Sequence, residues 1–274
     1  MNHEPAAHYD RVTAAWTLLL GEELHYGVFD DPATPLAEAT ARLTELMLEA
    51  ARLAPGLALL DVGCGTGAPA RRIARETGAT VTGITTSAEG VARATALAED
   101  AGLASELTFL QRDGMDNGFP DQSFDRVWAL ESSHLMRHRD RLIAECARVL
   151  APGGRLVLCD IVLRRPLDLM EVRRLREPLA LLRAVFGDAR MEPLSEYRRL
   201  LEDAGLHVDS ESDLTAATRP TFERWRQNAD QHREQVTELL SAEDWQRFRD
   251  SCDVLASFWD DGTLGYGLIA GAKA

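Results

Sequence analysis

Apolar positions along the chain follow two different periods, and the switches between them mark out its elements. Residues 7–20 carry apolar side chains at helical spacing, with Tyr9, Val12, Trp16 and Leu19 on one face, and residues 36–52 repeat the pattern until Pro55-Gly56 stops it. Residues 1–6 lack any such pattern and read as disordered. At residue 57 the rhythm shortens. An apolar run too short for a helix, Leu57 to Val62, contains a single acid, Asp61; glycine then stands at every second position, 63, 65 and 67, before helical spacing resumes. Strand, tight turn and helix are predicted there. A β-branched run over 81–86 gives a second strand, and Ser87 caps the helix that follows. Further strands are expected at 107–110, 126–130 and 155–162, with a helix over 137–150 broken by Ala151-Pro152-Gly153-Gly154. Beyond residue 166 helices dominate, at 167–186, 194–204, 219–240 and 242–258, with strands at 206–214 and 264–272.

Composition narrows the classes of function. The 274 residues suit one large domain, or a domain with a lid, and bury a sizeable core. A net charge of −14 argues against a nucleic-acid surface, which needs a basic stripe, and favours a small-molecule substrate. The four cysteines, Cys64, Cys146, Cys159 and Cys252, have neither disulfide nor zinc spacing, and no Asp, Glu and His cluster has the spacing of a metal site. No signal segment or membrane span is visible, so a cytoplasmic protein with no membrane partner is expected. Oligomeric state is not encoded in any pattern found.

The glycine turn is where a ligand is expected. Glycine lets the backbone approach a bound molecule closely, and the helix start offers unpaired N–H groups. The turn is not a Walker loop, and its D-x-G-x-G-x-G spacing differs from that of dinucleotide sites. Asp61-Val62-Gly63-Cys64-Gly65-Thr66-Gly67 resembles the first motif of class I S-adenosylmethionine-dependent methyltransferases. Asp113-Gly114-Met115, Trp128-Ala129-Leu130-Glu131-Ser132 and Leu150-Ala151-Pro152-Gly153-Gly154 follow in that family's order and spacing. The closer likeness is to small-molecule O-methyltransferases of bacterial natural-product pathways, of the rebeccamycin sugar O-methyltransferase type.

That resemblance implies an α/β fold, a Rossmann-like seven-stranded, mostly parallel sheet with helices on both faces and a helical lid. It also implies S-adenosylmethionine as cofactor. Gly63, Cys64, Gly65 and Gly67 would carry its methionine and ribose parts, with Asp61 near the ammonium. Asp113 would accept from the adenine amino group, with Gly114 and Met115 beside the ring, although a plain surface acid is the competing reading of Asp113. Ile84 and Thr85 are expected as backbone and packing contacts; where relatives place a ribose-binding glutamine stands Gly90, so ribose recognition stays unassigned. Gly21 to Phe29, with His25 and Tyr26, resembles a segment that closes over the cofactor, and packing within the fold is its alternative. Glu131 faces either the ammonium or the substrate.

A hydroxyl becomes a competent nucleophile as its proton leaves, and an imidazole can take that proton near neutral pH. His134 ends the fourth strand and Asp160 the fifth; in the family's sheet these are neighbours, about 4.8 Å apart, so the two side chains can meet. His134 is thus expected as general base, with Asp160 orienting it, and the resemblance implies the same roles. A second histidine of the subgroup is Leu135 here. The expected organisation is N-terminal helices over the cofactor site at 1–55 and the cofactor-binding core at 56–165, then a lid segment at 166–192. A core helix and strand follow at 193–215, lid helices at 216–262 and a closing strand at 263–274. The expected reaction is methyl transfer to a hydroxyl of a polyketide or glycoside. Methylation of carbon in an alkene or prenyl chain, and cyclisation without methyl transfer, are the alternatives.

Overall fold

A computed structural model describes residues 5–274, with side chains from residue 12 onward. Residues 1–4, most of the stretch expected to be disordered, lie outside the described residues, and Pro5 and Ala6 already belong to the first helix. The strands are β1 (Ala58–Val62), β2 (Thr80–Thr85), β3 (Leu107–Gln111), β4 (Phe124–Leu130), β5 (Leu150–Leu163), β6 (Leu206–Asp213) and β7 (Leu264–Lys273). They form one sheet in the order β3-β2-β1-β4-β5-β7-β6. Pairing is parallel from β3 through β5, and β6 runs antiparallel to β7.

The helices follow the same order along the chain. They are α1 (Pro5–Leu20), α2 (Leu36–Ala51), α3 (Ala68–Thr77), α4 (Ala88–Asp100), α5 (Arg139–Val149), α6 (Leu169–Arg174) and α7 (Arg176–Phe186). After these come α8 (Leu194–Asp203), α9 (Thr215–Thr218), α10 (Thr221–Gln231), α11 (Arg233–Leu239) and α12 (Ala242–Asp260). Two helices expected to be continuous are divided, at Leu175 and at His232, each of which ends one helix and precedes the next. The fifth strand also starts earlier than expected. Leu150 already pairs with Phe124, and the Pro-Gly-Gly segment is absorbed as an irregularity in the β4–β5 register. Hydrophobic spacing does not register such breaks, because the apolar face continues through them.

Winding reverses between β1 and β4. Parallel crossovers are right-handed, so α3 and α4 cover one face of the sheet and α5 the other. The central strands are apolar on both faces, as a doubly covered sheet requires: Leu59, Leu60, Val62, Val127, Trp128, Leu156 and Val157 are all at most 1% exposed. Ligands in such sheets bind beyond the carboxyl ends of the strands at the reversal point. Here those are the ends of β1 and β4.

The chain divides into two compact units. Among the described residues one comprises 5–43, 162–189 and 214–266; the other comprises 44–161, 190–213 and 267–274 and holds most of the sheet. The segments expected as lid belong mainly to the first unit. Its interior is aromatic: the Tyr26 ring packs on Phe222, Trp225, Trp259 and Tyr266 at centroid distances of 5.6, 4.8, 5.6 and 5.0 Å. Among the described residues no helix is long and apolar enough to cross a membrane.

In the second unit a buried guanidinium ties the sheet's amino edge together. Arg155 makes a two-pronged contact with Asp209 at 2.8 and 2.7 Å, and its Nε donates to the carbonyl of Ala50 at 3.0 Å. These hydrogen bonds hold the Asp209 carboxyl below the usual carboxylate range, against the smaller opposing effect of burial. The contribution is therefore complete at neutral pH and is lost as pH falls through the depressed value. Asp209→Asn leaves Arg155, its side chain 4% exposed, without its counter-charge. A loss of about 3 kcal/mol is expected in urea unfolding at pH 7, shrinking toward zero as the wild type is acidified.

Candidate active site

The glycine turn hangs from the neighbouring strand. The N–H groups of Gly63 and Cys64 both donate to the carbonyl of Ile84, at 2.9 and 3.1 Å, so the end of β2 sets where the turn begins. Gly67 closes it, donating to the Cys64 carbonyl at 2.8 Å and capping α3 with φ +71°. A side chain at Gly67 would meet the Phe109 ring at 2.6 Å, whereas around Gly65, at φ +53°, nothing lies within 4 Å of a Cβ position. The turn is thus closed on the helix side and open at its tip.

Beneath it lies Asp61, 3% exposed. Its Oδ2 is buried with no hydrogen-bond partner, and desolvation pushes the carboxyl up to about 7. A buried acceptor left unsatisfied is costly, and such exceptions concentrate at functional sites. An ammonium group brought to this oxygen would supply the missing donor and the missing charge. The residues present therefore fit the cationic methionine end of S-adenosylmethionine, with the open tip at Gly65 leaving room for its chain.

The expected contacts at Ile84, Thr85, Asp113, Gly114, Met115 and Glu131 lie at or just past the ends of β2, β3 and β4. Ile84 is 1% exposed, and its carbonyl is spent on the turn. Thr85 is half-buried, its Oγ1 accepting from the Ser87 N–H at 3.2 Å; Ser87 caps α4 through the Gly90 N–H at 3.0 Å, as expected. Asp113 is exposed past β3, its Oδ1 accepting from the Met115 N–H at 2.8 Å; Met115 is half-buried and Gly114 is packed beneath Val62 and Met136. Tyr26 belongs to the first unit, 3% exposed, its ring surface taken up by aromatic packing there. Glu131 sits half-buried at φ +48°, a conformation that a residue with a side chain adopts at some cost.

His134 lies just beyond β4, on a single 3-10 turn, Ser133–Leu135, rather than on the strand itself. Its ring meets Asp160 as expected: Nδ1 is 2.5 Å from Oδ1. The His134 backbone N–H donates to Oδ2 of the same carboxylate at 2.9 Å, and the Ile161 N–H donates to Oδ1 at 2.8 Å. Ser132 donates to the Val62 carbonyl at 2.6 Å, so this turn is stitched to the end of β1. Burial works against a charged imidazole, but Asp160, by charge and by hydrogen bond, outweighs it with help from Glu131 and against Arg139, leaving the His134 pKa raised. Asp160 shows the reciprocal effect: burial raises its carboxyl, and His134 and the donors around it more than reverse this, so it is lowered.

Three residues of this cluster escaped the sequence reading. Ser133 donates to Asp160 Oδ2, and the Tyr197 hydroxyl lies 2.7 Å from Ser133 Oγ. Arg139, 6% exposed, donates to the carbonyls of Met136 and Arg190, both at 2.5 Å. Ser133 adjoins the expected histidine in the sequence, which is its only signal; Tyr197 and Arg139 carry none beyond helical periodicity. The four cysteines are buried and form no disulfide. Among the described residues no group of three or more His, Cys, Asp or Glu could hold a metal ion.

A doubly wound sheet, a glycine turn after its first strand and a buried acid with an unsatisfied oxygen beneath that turn define a class I methyltransferase with S-adenosylmethionine as its cofactor. The description of the mycolic acid cyclopropane synthetase family matches residues 2–262, and the chain belongs to that family. It is 38% identical to the 27-O-demethylrifamycin SV methyltransferase of Amycolatopsis mediterranei (strain S699), over 97% of this chain and 95% of that protein. It is also 38% identical to methyltransferase GfsG of Streptomyces halstedii, over 80% and 78% of the two chains. Among solved structures, the [4+2]-cyclase SpnF superposes with a TM-score of 0.81 at 29% identity, over 97% of this chain and 93% of that one.

Gly67→Ala adds a methyl at positive φ against Phe109. It is expected to cost about 1–3 kcal/mol in thermal or urea unfolding and to weaken the binding of S-adenosylhomocysteine measured by calorimetry.

Proposed function

We propose that this chain methylates a hydroxyl oxygen of a bacterial secondary metabolite, a polyketide or a glycoside, with His134 as general base and Asp160 as its orienting partner. The observation that carries this reading is the imidazole itself. One ring nitrogen is bound to a fully engaged carboxylate, and the turn that bears the ring is tied to β1, whose end begins the cofactor turn. The Amycolatopsis relative is named for an O-demethylated rifamycin, which supports oxygen as the acceptor. The likeness of Glu131 to Met136 to the rebeccamycin-type sugar O-methyltransferases points the same way.

The cofactor, when bound, supplies an electrophilic methyl group on a sulfonium. Asp61 would receive its ammonium, and Gly63, Cys64, Gly65 and Gly67 would border its chain. Ile84 and Thr85 stand at the end of β2, Asp113 would accept from the adenine amino group with Gly114 and Met115 beside the ring, and Glu131 would complete the proposed contacts; Tyr26, packed among aromatic rings of the first unit, keeps its packing role. The protein's task in such a displacement is alignment and removal of one proton. His134 keeps its Nδ1 proton for Asp160, which leaves the Nε2 lone pair to accept the proton of the substrate hydroxyl. Asp160 then stabilises the imidazolium.

Methylation of carbon is the second reading, favoured by the family's own description as cyclopropane synthetases. A cyclisation without methyl transfer is the third, favoured by the likeness to SpnF. Incubating hydroxylated polyketides and glycosides with cofactor carrying a 13C-labelled methyl separates all three. An O-methyl resonance in the product supports the proposal, a C-methyl resonance replaces it with the second reading, and an unlabelled product replaces it with the third.

Two further outcomes are expected. His134→Ala lowers kcat by about 10²–10⁴-fold while the affinity for S-adenosylhomocysteine stays within about twofold, read by steady-state kinetics and calorimetry. Because the His134 pKa is raised, wild-type kcat falls on the acid side through a value above 6.5. Asp61, pushed up to about 7, is neutral below that pH and charged above it. Binding of S-adenosylhomocysteine therefore weakens as pH drops from 8 to 6, by up to about tenfold per unit, and Asp61→Asn flattens this dependence.

A further inference from the structure

The carboxylate of Asp160 has four acceptor positions, and all four are occupied. Oδ1 takes the His134 ring at 2.5 Å and the Ile161 N–H at 2.8 Å. Oδ2 takes the His134 N–H at 2.9 Å and the Ser133 hydroxyl. Two of these donors belong to His134 and one is the backbone N–H of Ile161 next to Asp160, and they move with the turn or the strand. The fourth is a hydroxyl, free to rotate unless something fixes it.

Tyr197 supplies that restraint. It sits on α8, 1% exposed, with its hydroxyl 2.7 Å from Ser133 Oγ. A serine has one proton to give, and Ser133 gives it to Asp160, so the bond to Tyr197 is accepted by the serine and donated by the phenol. Burial and the nearby Asp160 charge both push the phenol up, so it stays protonated throughout the working range. Its helix is held in turn: Arg139 on α5 lies 5.9 Å over the Tyr197 ring and reaches the carbonyl of Arg190, whose N–H donates to the His134 carbonyl at 2.8 Å. Arg190 and Tyr197 thus each bond to the histidine turn, as Asp160 on β5 does.

We infer that Tyr197 is a positioning residue for the His134–Asp160 pair, acting through Ser133 to lock the carboxylate's rotation and with it the plane and tautomer of the imidazole. This rests on His134 being the base. The charged groups that act on the pair are Asp160 from β5, Glu131 from the end of β4 and Arg139 from α5; Asp160, Arg139 and Glu192 act on Tyr197.

The test compares Tyr197→Phe, Ser133→Ala and His134→Ala, with the double variant Tyr197→Phe/His134→Ala. Each is read by kcat, by KM for the cofactor, by the pH profile of kcat, and by the low-field proton resonance of the His134 Nδ1–H in the enzyme without substrate. Tyr197→Phe is expected to lower kcat about tenfold, the equivalent of one hydrogen bond in the transition state, with KM for the cofactor unchanged. The acid limb of its pH profile moves upward, because a carboxylate with a weaker donor holds the imidazolium more tightly. The low-field resonance shifts or broadens. In the His134→Ala background the phenol's loss has no further effect. Ser133→Ala, a smaller change, carries the same expectations should the phenylalanine variant fold poorly. Wild-type kcat with an unmoved resonance in both variants, or a full additional loss in the double variant, overturns the inference. Wild-type turnover in His134→Ala overturns the base assignment separately, since the resonance reports on positioning whether or not the ring takes the proton.

Discussion

A buried carboxylate is expensive to keep charged, and Asp160 is kept charged because every acceptor position on it is filled. Backbone N–H groups from two elements, a serine hydroxyl and an imidazole N–H converge on two oxygens that are almost entirely out of water. Donors aimed at a carboxylate favour its ionised form, and in a low-dielectric surrounding each one counts for more than it would in solution. The same four bonds fix orientation. The ring nitrogen of His134 that faces Asp160 is engaged by these contacts, and under the proposed function the far nitrogen is the one left for chemistry.

Asp61 is the opposite case within the same unit. It is buried to the same degree, 3% exposed, but one oxygen has no donor, and its carboxyl is pushed up to about 7 where that of Asp160 is lowered. Two acids in one sheet are thus separated by their surroundings into a settled anion and one that lacks a partner. In the proposed reading the settled one orients the base and the unsettled one receives the cationic end of the cofactor. The winding of the sheet brings these two environments together, because the end of β1 and the end of β4 are adjacent where strand order reverses.

Strain is placed around the same strand ends. Glu131 adopts φ +48° in the step from β4 to the histidine turn, while its N–H remains bonded to the Cys159 carbonyl at 2.9 Å. The Ser132 hydroxyl bond to β1 and the Arg139 bonds to Met136 and Arg190 over-determine the segment that follows. A strained backbone persists only where its surroundings leave no alternative, and these contacts provide that restraint.

Much of this was written into local pattern. Periodicity located all seven strands, because a strand buried on both faces must be apolar throughout and a turn needs glycine or proline at defined places. The glycine turn was legible for the same reason, as was the pairing of His134 with Asp160, since parallel neighbours end side by side. The breaks at Leu175 and His232 and the early start of β5 were not, because the apolar face runs through them unaltered. Nor were Tyr197 and Arg139. Each reads as an ordinary helical residue, and what makes it part of the site is a hydrogen bond or ring contact with residues distant along the chain. Local sequence determines which elements form and which side chains end up facing inward. Only the packed fold decides which inward polar groups satisfy one another, because a hydrogen bond needs two atoms at one place, and that place exists only once the strands and helices have met.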